Sequence, residues 1–263
     1  MPMICVCVEM VLGNASLAAK ARKVAAAGFR ALEFWSHDAG GDRKLDDLAA
    51  ACGETGLALN DLVADGPGIS LVSAADREKY LARLRQSIAV AKKLDCGKLI
   101  TCTGNRLPDR SGAEQHDAIV ETLRAAAAVA SQAGVVLVLE PLNSLVDHRG
   151  YYLDSGHQAA QIVEQVASPA VRLLWDIYHM QIMHGNVLAT IERYLPLIGH
   201  FHAAGVPGRH ELDVGELNYV EILSRIKAWG YDGMFGLEYA PATADHAASL
   251  ADMRKLTAAA GWE

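Results

Sequence analysis

Eight times along this chain a short run of β-branched and aliphatic residues gives way to a longer stretch in which Ala, Leu, Ile and Val recur at helical spacing. The runs are Ile4 to Val8, Ala31 to Trp35, Ala58 to Val63, Leu99 to Thr103, Val135 to Leu139, Val171 to Asp176, His200 to Ala203 and Met234 to Glu238. Between and after them the spacing predicts helices near 16–27, 43–56, 75–94, 113–133, 155–167, 186–195, 218–229 and 245–260, several preceded by Ser, Asn or Asp as N-caps. Glycine marks the helix-to-strand returns in AAAGFRALEF, ETGLALN, SQAGVVLVLE and AWGYDGMFGLE, where a left-handed residue ends a helix. No composition break or Pro/Gly/Ser linker interrupts the series. The expectation is one domain over residues 1–263, a parallel sheet closed into a (β/α)8 TIM barrel. An open, doubly wound sheet is the rival, and no GxGxxG follows the first strand to support it.

Composition narrows the partners. The 263 residues carry 24 Lys and Arg against 31 Asp and Glu, a formal charge of -7, which is the wrong sign for neutralising nucleic-acid phosphates. No apolar run approaches the roughly 18 residues that span a bilayer, and the start MPMICVCVEM lacks the basic n-region of a signal peptide. A small-molecule substrate, no nucleic acid, no membrane and a cytoplasmic address are therefore expected. Cys5, Cys7, Cys52, Cys96 and Cys102 form no CxxC pair and are odd in number, as expected of reduced, mostly buried thiols.

In a TIM barrel the βα loops converge on the C-terminal ends of the strands, so chemistry is sought there. Four consecutive strands finish in groups able to bind a metal ion: Glu140 in VVLVLEPLN, Asp176 in VRLLWDIYH, His202 in HFHAAG and Glu238 in MFGLEY. Side chains alternate along a strand. Val136, Val138 and Glu140 thus share the inward face, with Leu174 and Asp176, His200 and His202, and Gly236 and Glu238, while Leu137, Leu139, Trp175 and Leu237 face the helices. A lone strand-end carboxylate is commonly a cap or half of an ion pair. Three at equal depth, each costing several kcal/mol if uncompensated, point to a cation. Three carboxylates and an imidazole suit Mn²⁺ or Mg²⁺, with Co²⁺ or Zn²⁺ also compatible.

Candidate substrate groups surround this set. His179 leaves the end of strand six in DIYH and can turn over the mouth. Arg209, with His210, follows Pro207 and Gly208 in GVPGRHELDVGELNY and can clamp a carboxylate, whereas Glu216 reads as capping or orienting the next helix. Asn143 and His148 follow Glu140 and can line the same rim. Glu9, at the end of strand one, and Asp61, within strand three, read as polar lining or structural pairs.

LEPLN, LLWDIYHMQI, GHFHAAGVPGRHE with DVGELNY, and GLEYAP together resemble the consecutive motifs of the hydroxypyruvate isomerase family, within the xylose-isomerase-like barrel superfamily. The likeness is close over about residues 135–241 and looser elsewhere; DIYHMQ and VPGRHE are specific, while LEPLN is shared across the superfamily. It implies that Glu140 and Glu238 act as the acid/base pair and that Asp176 and His202 complete the metal site; His179 and Arg209 are then expected, from their place beside that set, to orient the polar end of the substrate. Barrels of this family often self-associate, so a homo-oligomer is compatible with the resemblance, which Trp229 and Trp262 do not decide. The chain also departs from the pattern. GHFH stands where the family commonly has GHIQ, making His202 more like the related ketose 3-epimerases; EYAP replaces EYKP; and Val146 occupies a position where the epimerases carry glutamate.

The expected activity is a metal-dependent aldose–ketose isomerisation of a small hydroxy-keto acid or sugar, of the hydroxypyruvate to tartronate semialdehyde type, through an enediolate. The alternatives are a ketose 3-epimerase, an endonuclease-IV-like nuclease, which would need a zinc cluster and a basic face, and a non-catalytic sugar-binding barrel.

Overall fold

The computed structural model describes residues 3–35, 37 and 44–263. Eight parallel strands close in sequence order into a barrel, β1 pairing with both β2 and β8. They are β1 Met3–Cys7, β2 Ala31–Phe34, β3 Ala58–Val63, β4 Lys98–Thr101, β5 Val136–Leu139, β6 Val171–Asp176, β7 Ile198–Ala203 and β8 Met234–Leu237. The helices are α1 Val8–Val11, α2 Leu17–Ala26, α3 Leu45–Thr55, α4 Arg77–Lys93, α5 Gly112–Ala133, α6 Gly156–Val166, α7 Ile177–Met183, α8 Val187–Tyr194, α9 Tyr219–Ala228 and α10 His246–Ala259. The caps follow the sequence signals. Ser16, Ser155 and Asp245 accept the backbone N–H three residues on, and Ser111 with Glu114 forms a reciprocal capping box. Asn218, not Glu216, caps α9.

Two apolar layers result from the alternation of side chains. The larger lies between strands and helices and contains Leu137, Leu139, Trp175 and Leu237; the smaller, Ile100, Val138 and Leu174, fills the barrel interior. Trp262 belongs to the outer layer, buried with its indole N–H donated to the Leu223 carbonyl. Among the described residues no helix is long and apolar enough to cross a membrane.

Several boundaries differ from the sequence expectation; β4 ends at Thr101 rather than Thr103, β7 begins at Ile198 rather than His200, and β8 ends at Leu237 rather than Glu238. β1 stops at Cys7, and the chain turns at once into the single turn of α1, so Glu9 sits on a helix rather than at a strand end. β2 stops at Phe34, leaving Trp35 beyond it, and the expected helix start at residue 43 lies outside the described residues, with α3 beginning at Leu45. IYHMQI, which lies outside the expected helices, forms α7 directly on the end of β6, where the Asp176 carboxylate accepts the Tyr178 N–H (2.8 Å) and caps it.

Registry then sets the depth of the site. Asp176 of β6 lies opposite His202 of β7, His202 opposite Gly236 of β8, and Gly236 opposite Cys5 of β1. Two irregularities achieve this alignment. Between β6 and β7 the pairing moves from Leu173↔Ile198 to Leu174↔His200, which inserts Gly199 as an extra residue. Between β2 and β3 it moves from Leu32↔Leu59 to Phe34↔Leu62, so that Asn60 and Asp61 together face Glu33 and both are buried. A Cβ at Gly199 would lie 2.8 Å from Arg172 Cβ and 3.2 Å from Val138 Cγ1. Gly199→Ala is expected to cost about 1–3 kcal/mol of stability through overpacking, seen as a lower urea midpoint at unchanged slope.

Candidate active site

Glu140 and Glu238 each stand one residue beyond their strands, yet the ladder still holds them: the Glu140 N–H donates to Thr101 O and the Glu238 N–H to Ala203 O, both at 3.0 Å. With Asp176 they form three buried carboxylates at one end of the barrel. Glu140, Asp176, Glu238 and His179 of α7 each bring one ligand atom within 4.8 Å of the others. His202 faces the same group from β7, its Nδ1 3.4 Å from Glu238 Oε2 and 3.7 Å from Glu140 Oε1.

The electrostatics fit a cation. Burial pushes the Asp176 carboxyl up to about 7, with Glu238 and Glu140 adding to the rise, and burial likewise raises Glu140. Burial opposes the Glu238 charge too, but Arg209 and His202 outweigh it and hold that carboxyl well below the usual range. Arg209 Nη2 is 2.5 Å from Glu238 Oε2 and 3.8 Å from Asp176 Oδ2, and the Trp35 indole donates to Glu238 Oε1 at 3.2 Å. One guanidinium is less positive charge than three carboxylates require, and a divalent ion among their oxygens would complete the balance. Nδ1 of His202, the nitrogen turned toward these carboxylates, is buried without a hydrogen bond that satisfies it, as suits a metal-ligand atom.

The two histidines differ in what they offer. Asn143 Oδ1 accepts the N–H groups of Val146 (3.0 Å) and Asp147 (2.9 Å), which fixes its amide, so Nδ2 donates to Asp147 Oδ2 (2.6 Å) and to His179 Nδ1 (2.7 Å). His179 therefore carries its hydrogen on Nε2, which lies 3.3 Å from Asp176 Oδ2. Burial, reinforced by Arg209, keeps this imidazole neutral by lowering its pKa well below the usual value. His179 presents a donor to the mouth. His202 turns Nδ1 toward the carboxylates and Nε2 toward Glu33 Oε1, 3.0 Å away.

The other predicted residues take distinct places. Asn143, expected on the rim, is fully buried behind His179. His148 is half-buried and meets His179 edge-on at 5.4 Å. Arg209 adopts a left-handed backbone (φ 59°), uncommon for a bulky side chain, and its loop is fastened by Arg209 N–H to Gly205 O (2.9 Å) and Ala240 N–H to Arg209 O (2.7 Å). Its guanidinium lies over the Tyr178 ring at 5.1 Å. His210 turns away to Ala240 O (2.8 Å), and Glu216 accepts from Gln181 (2.9 Å). Cys7 and Cys102 point at Glu238 and Glu140, with Sγ to carboxylate distances of 3.8 and 4.0 Å.

Below the mouth, Glu33, Asp61, His200 and His202 form a second buried group whose ligand atoms also lie within 4.8 Å of one another. Lys98 Nζ donates to Asn60 Oδ1 (2.9 Å), and the Asn60 amide reaches Asp61 Oδ2 (2.6 Å), which places this group inside a polar column through the barrel. Asp61, read from the sequence as polar lining or a structural pair, is a member of this group. Glu33 and Trp35 were absent from the sequence candidates; the signal for Glu33 is a charge on the inward face of the apolar run ALEF.

Comparison with known proteins agrees with this geometry. Residues 21–257 match the xylose isomerase-like TIM barrel family. The chain is 31% identical over 244 residues to the hydroxypyruvate isomerase of Escherichia coli (strain K12), covering 91% of this chain and 93% of that protein. The chain belongs to the hydroxypyruvate isomerase family. Another relative, the 2-oxo-tetronate isomerase of Cupriavidus necator, is 32% identical over 221 residues, 82% of this chain and 84% of that one. A crystal structure described as an AP endonuclease, family 2, from Brucella melitensis superposes with a TM-score of 0.90 at 25% identity, covering 97% of this chain and 99% of that one. The chain is accordingly a hydroxypyruvate isomerase-like protein of the sugar and keto-acid isomerases, with buried clusters suited to a divalent metal.

Metal-stripped protein is expected to gain about 2.7 kcal/mol of stability when Mn²⁺ is supplied at a hundredfold excess over its Kd, and Asp176→Asn to lose most of that gain, both read by urea denaturation.

Proposed function

We propose that this chain isomerises a small α-hydroxy-keto acid, interconverting hydroxypyruvate and tartronate semialdehyde, with a divalent ion held by Glu140, Asp176, His202 and Glu238. The observation that carries the reading is the convergence of Glu140, Asp176 and Glu238 with His179 in one buried group, with His202 Nδ1 facing Glu238 and Glu140 and a buried guanidinium beside them. Mn²⁺ or Mg²⁺ suits this oxygen-rich set best. When bound, the ion supplies a Lewis acid for the substrate's carbonyl and hydroxyl oxygens.

The chain's own groups do the rest. Glu140 and Glu238 form the proton-transfer pair: one takes a proton from the carbinol carbon, the electron pair moves into an enediolate, the hydroxyl proton passes from the carbinol oxygen to the former carbonyl oxygen, and a proton is returned to the former carbonyl carbon. His179 Nε2–H donates to a substrate oxygen as negative charge develops there, and Asn143, locked to Nδ1, keeps that hydrogen in place. Asn143 thus acts through His179. Arg209 Nε is buried without a hydrogen-bond partner among the described residues, which leaves a donor for the substrate carboxylate. A ketose 3-epimerase is the second reading, favoured by His202 where the family commonly has glutamine. Product analysis on hydroxypyruvate, short 2-keto acids and ketoses separates the two.

Glu140→Gln and Glu238→Gln are each expected to slow exchange of the substrate carbinol C–H with D2O by about 10²–10⁴; exchange at the wild-type rate, followed by NMR in protein that still binds metal, would refute the pair. Arg209→Ala is expected to weaken capture of a carboxylate substrate by about 1.5–3 kcal/mol, seen as a tenfold or greater loss of kcat/KM on hydroxypyruvate and a smaller loss on a neutral ketose.

A further inference from the structure

We infer that Glu33 is a positioning residue that fixes the His202 ring, keeping the hydrogen on Nε2 and presenting Nδ1 to the mouth. The inference rests on the reading of His202 as a ligand given above. Both nitrogens of His202 face carboxylates, so orientation and hydrogen placement need an anchor on one side. Glu33 Oε1 supplies that anchor: it lies 3.0 Å from Nε2, and neither atom has another hydrogen-bond partner among the described residues, while Nδ1 looks at Glu238 and Glu140. A carboxylate that accepts the far N–H of a ligating imidazole sets both its tautomer and its direction.

Glu33 belongs to β2 and His202 to β7, so the contact must cross over β1 and β8. Two small residues at one level open that path. A Cβ on Gly236 would sit 2.5 Å from Glu33 Oε1 and 2.6 Å from His202 Cδ2, so the contact occupies the space where any other residue would place its side chain. Cys5, paired with Gly236 in the ladder, donates its thiol to Glu33 Oε2 at 3.1 Å. The same Oε2 lies 3.0 Å from His200 Nε2, and His200 Nδ1 faces Met234 O at 3.0 Å. The second oxygen of Glu33 is thereby tied down, and Oε1 is left for His202. The arrangement explains why a carboxylate is buried in the middle of an otherwise apolar strand.

The test has two arms on the full chain. In metal-free, ¹⁵N-histidine-labelled protein, His202, assigned by the loss of its signal in His202→Asn, is expected to show a slowly exchanging Nε2–H that disappears in Glu33→Ala. In Mn²⁺ titrations, Kd is expected to rise about 10–100-fold in Glu33→Ala, with Glu33→Gln intermediate because its amide oxygen can still accept. Gly236→Ala, which keeps Glu33 but takes the shared space, is expected to give the same weakening and covers the case in which Glu33→Ala fails to fold. A persistent Nε2–H in Glu33→Ala, or a wild-type Kd in Glu33→Gln and Gly236→Ala, overturns the inference. Wild-type Mn²⁺ affinity in His202→Asn would instead overturn the ligand reading of His202, and the NMR arm would still decide the role of Glu33.

Discussion

Negative charge confined where water is largely excluded is the constraint around which this molecule is arranged. Glu140, Asp176 and Glu238 are buried at the ends of three strands, and each uncompensated carboxylate in such surroundings costs several kcal/mol. The compensation is visible from every side. Arg209 reaches in from a loop held in an unusual backbone conformation, Trp35 donates its indole N–H, and His202 faces two of the three carboxylates. A divalent cation among these oxygens would complete the balance, so the same crowding that is unfavourable to the carboxylates alone favours metal binding.

The barrel makes that crowding possible because closure fixes the depth of every strand end. Backbone hydrogen bonds continue one residue past β5 and β8, so Glu140 and Glu238 are held by the ladder rather than by flexible loops. The extra residue at Gly199 and the adjacent pair Asn60–Asp61 adjust register where the alternation alone would not bring the polar side chains to one level. The polar column beneath the mouth follows from those two irregularities. Buried polar groups in such a column are tolerable because they satisfy one another, and they confer direction on the residue above them.

Much of this was legible in the sequence. The eight strands, their caps and the inward parity of Glu140, Asp176, His202 and Glu238 follow from period-two alternation and punctuation by glycine, both local properties. The positions of His179 and Arg209 near the mouth follow from their distance beyond a strand end. The role of Asn143 did not follow: a residue three places after Glu140 looks like a rim donor, and only the fold shows its amide committed to the loop backbone and to His179. α7 escaped because seven residues contiguous with a strand carry too short a periodic signal. Glu33 and Trp35 escaped because their partners, His202 and Glu238, lie 169 and 203 residues away along the chain.

The sequence by itself determined a closed parallel barrel with a carboxylate-rich end, since alternation and capping are written in neighbouring residues. Tertiary structure alone decided which nitrogen of each histidine faces the mouth. That choice depends on hydrogen-bond partners, Asn143 for His179 and Glu33 for His202, and in the second case the partner arrives from across the barrel through the space left by Gly236. A hydrogen placed on one ring nitrogen is a property of the surroundings, and those exist only once the chain has closed on itself.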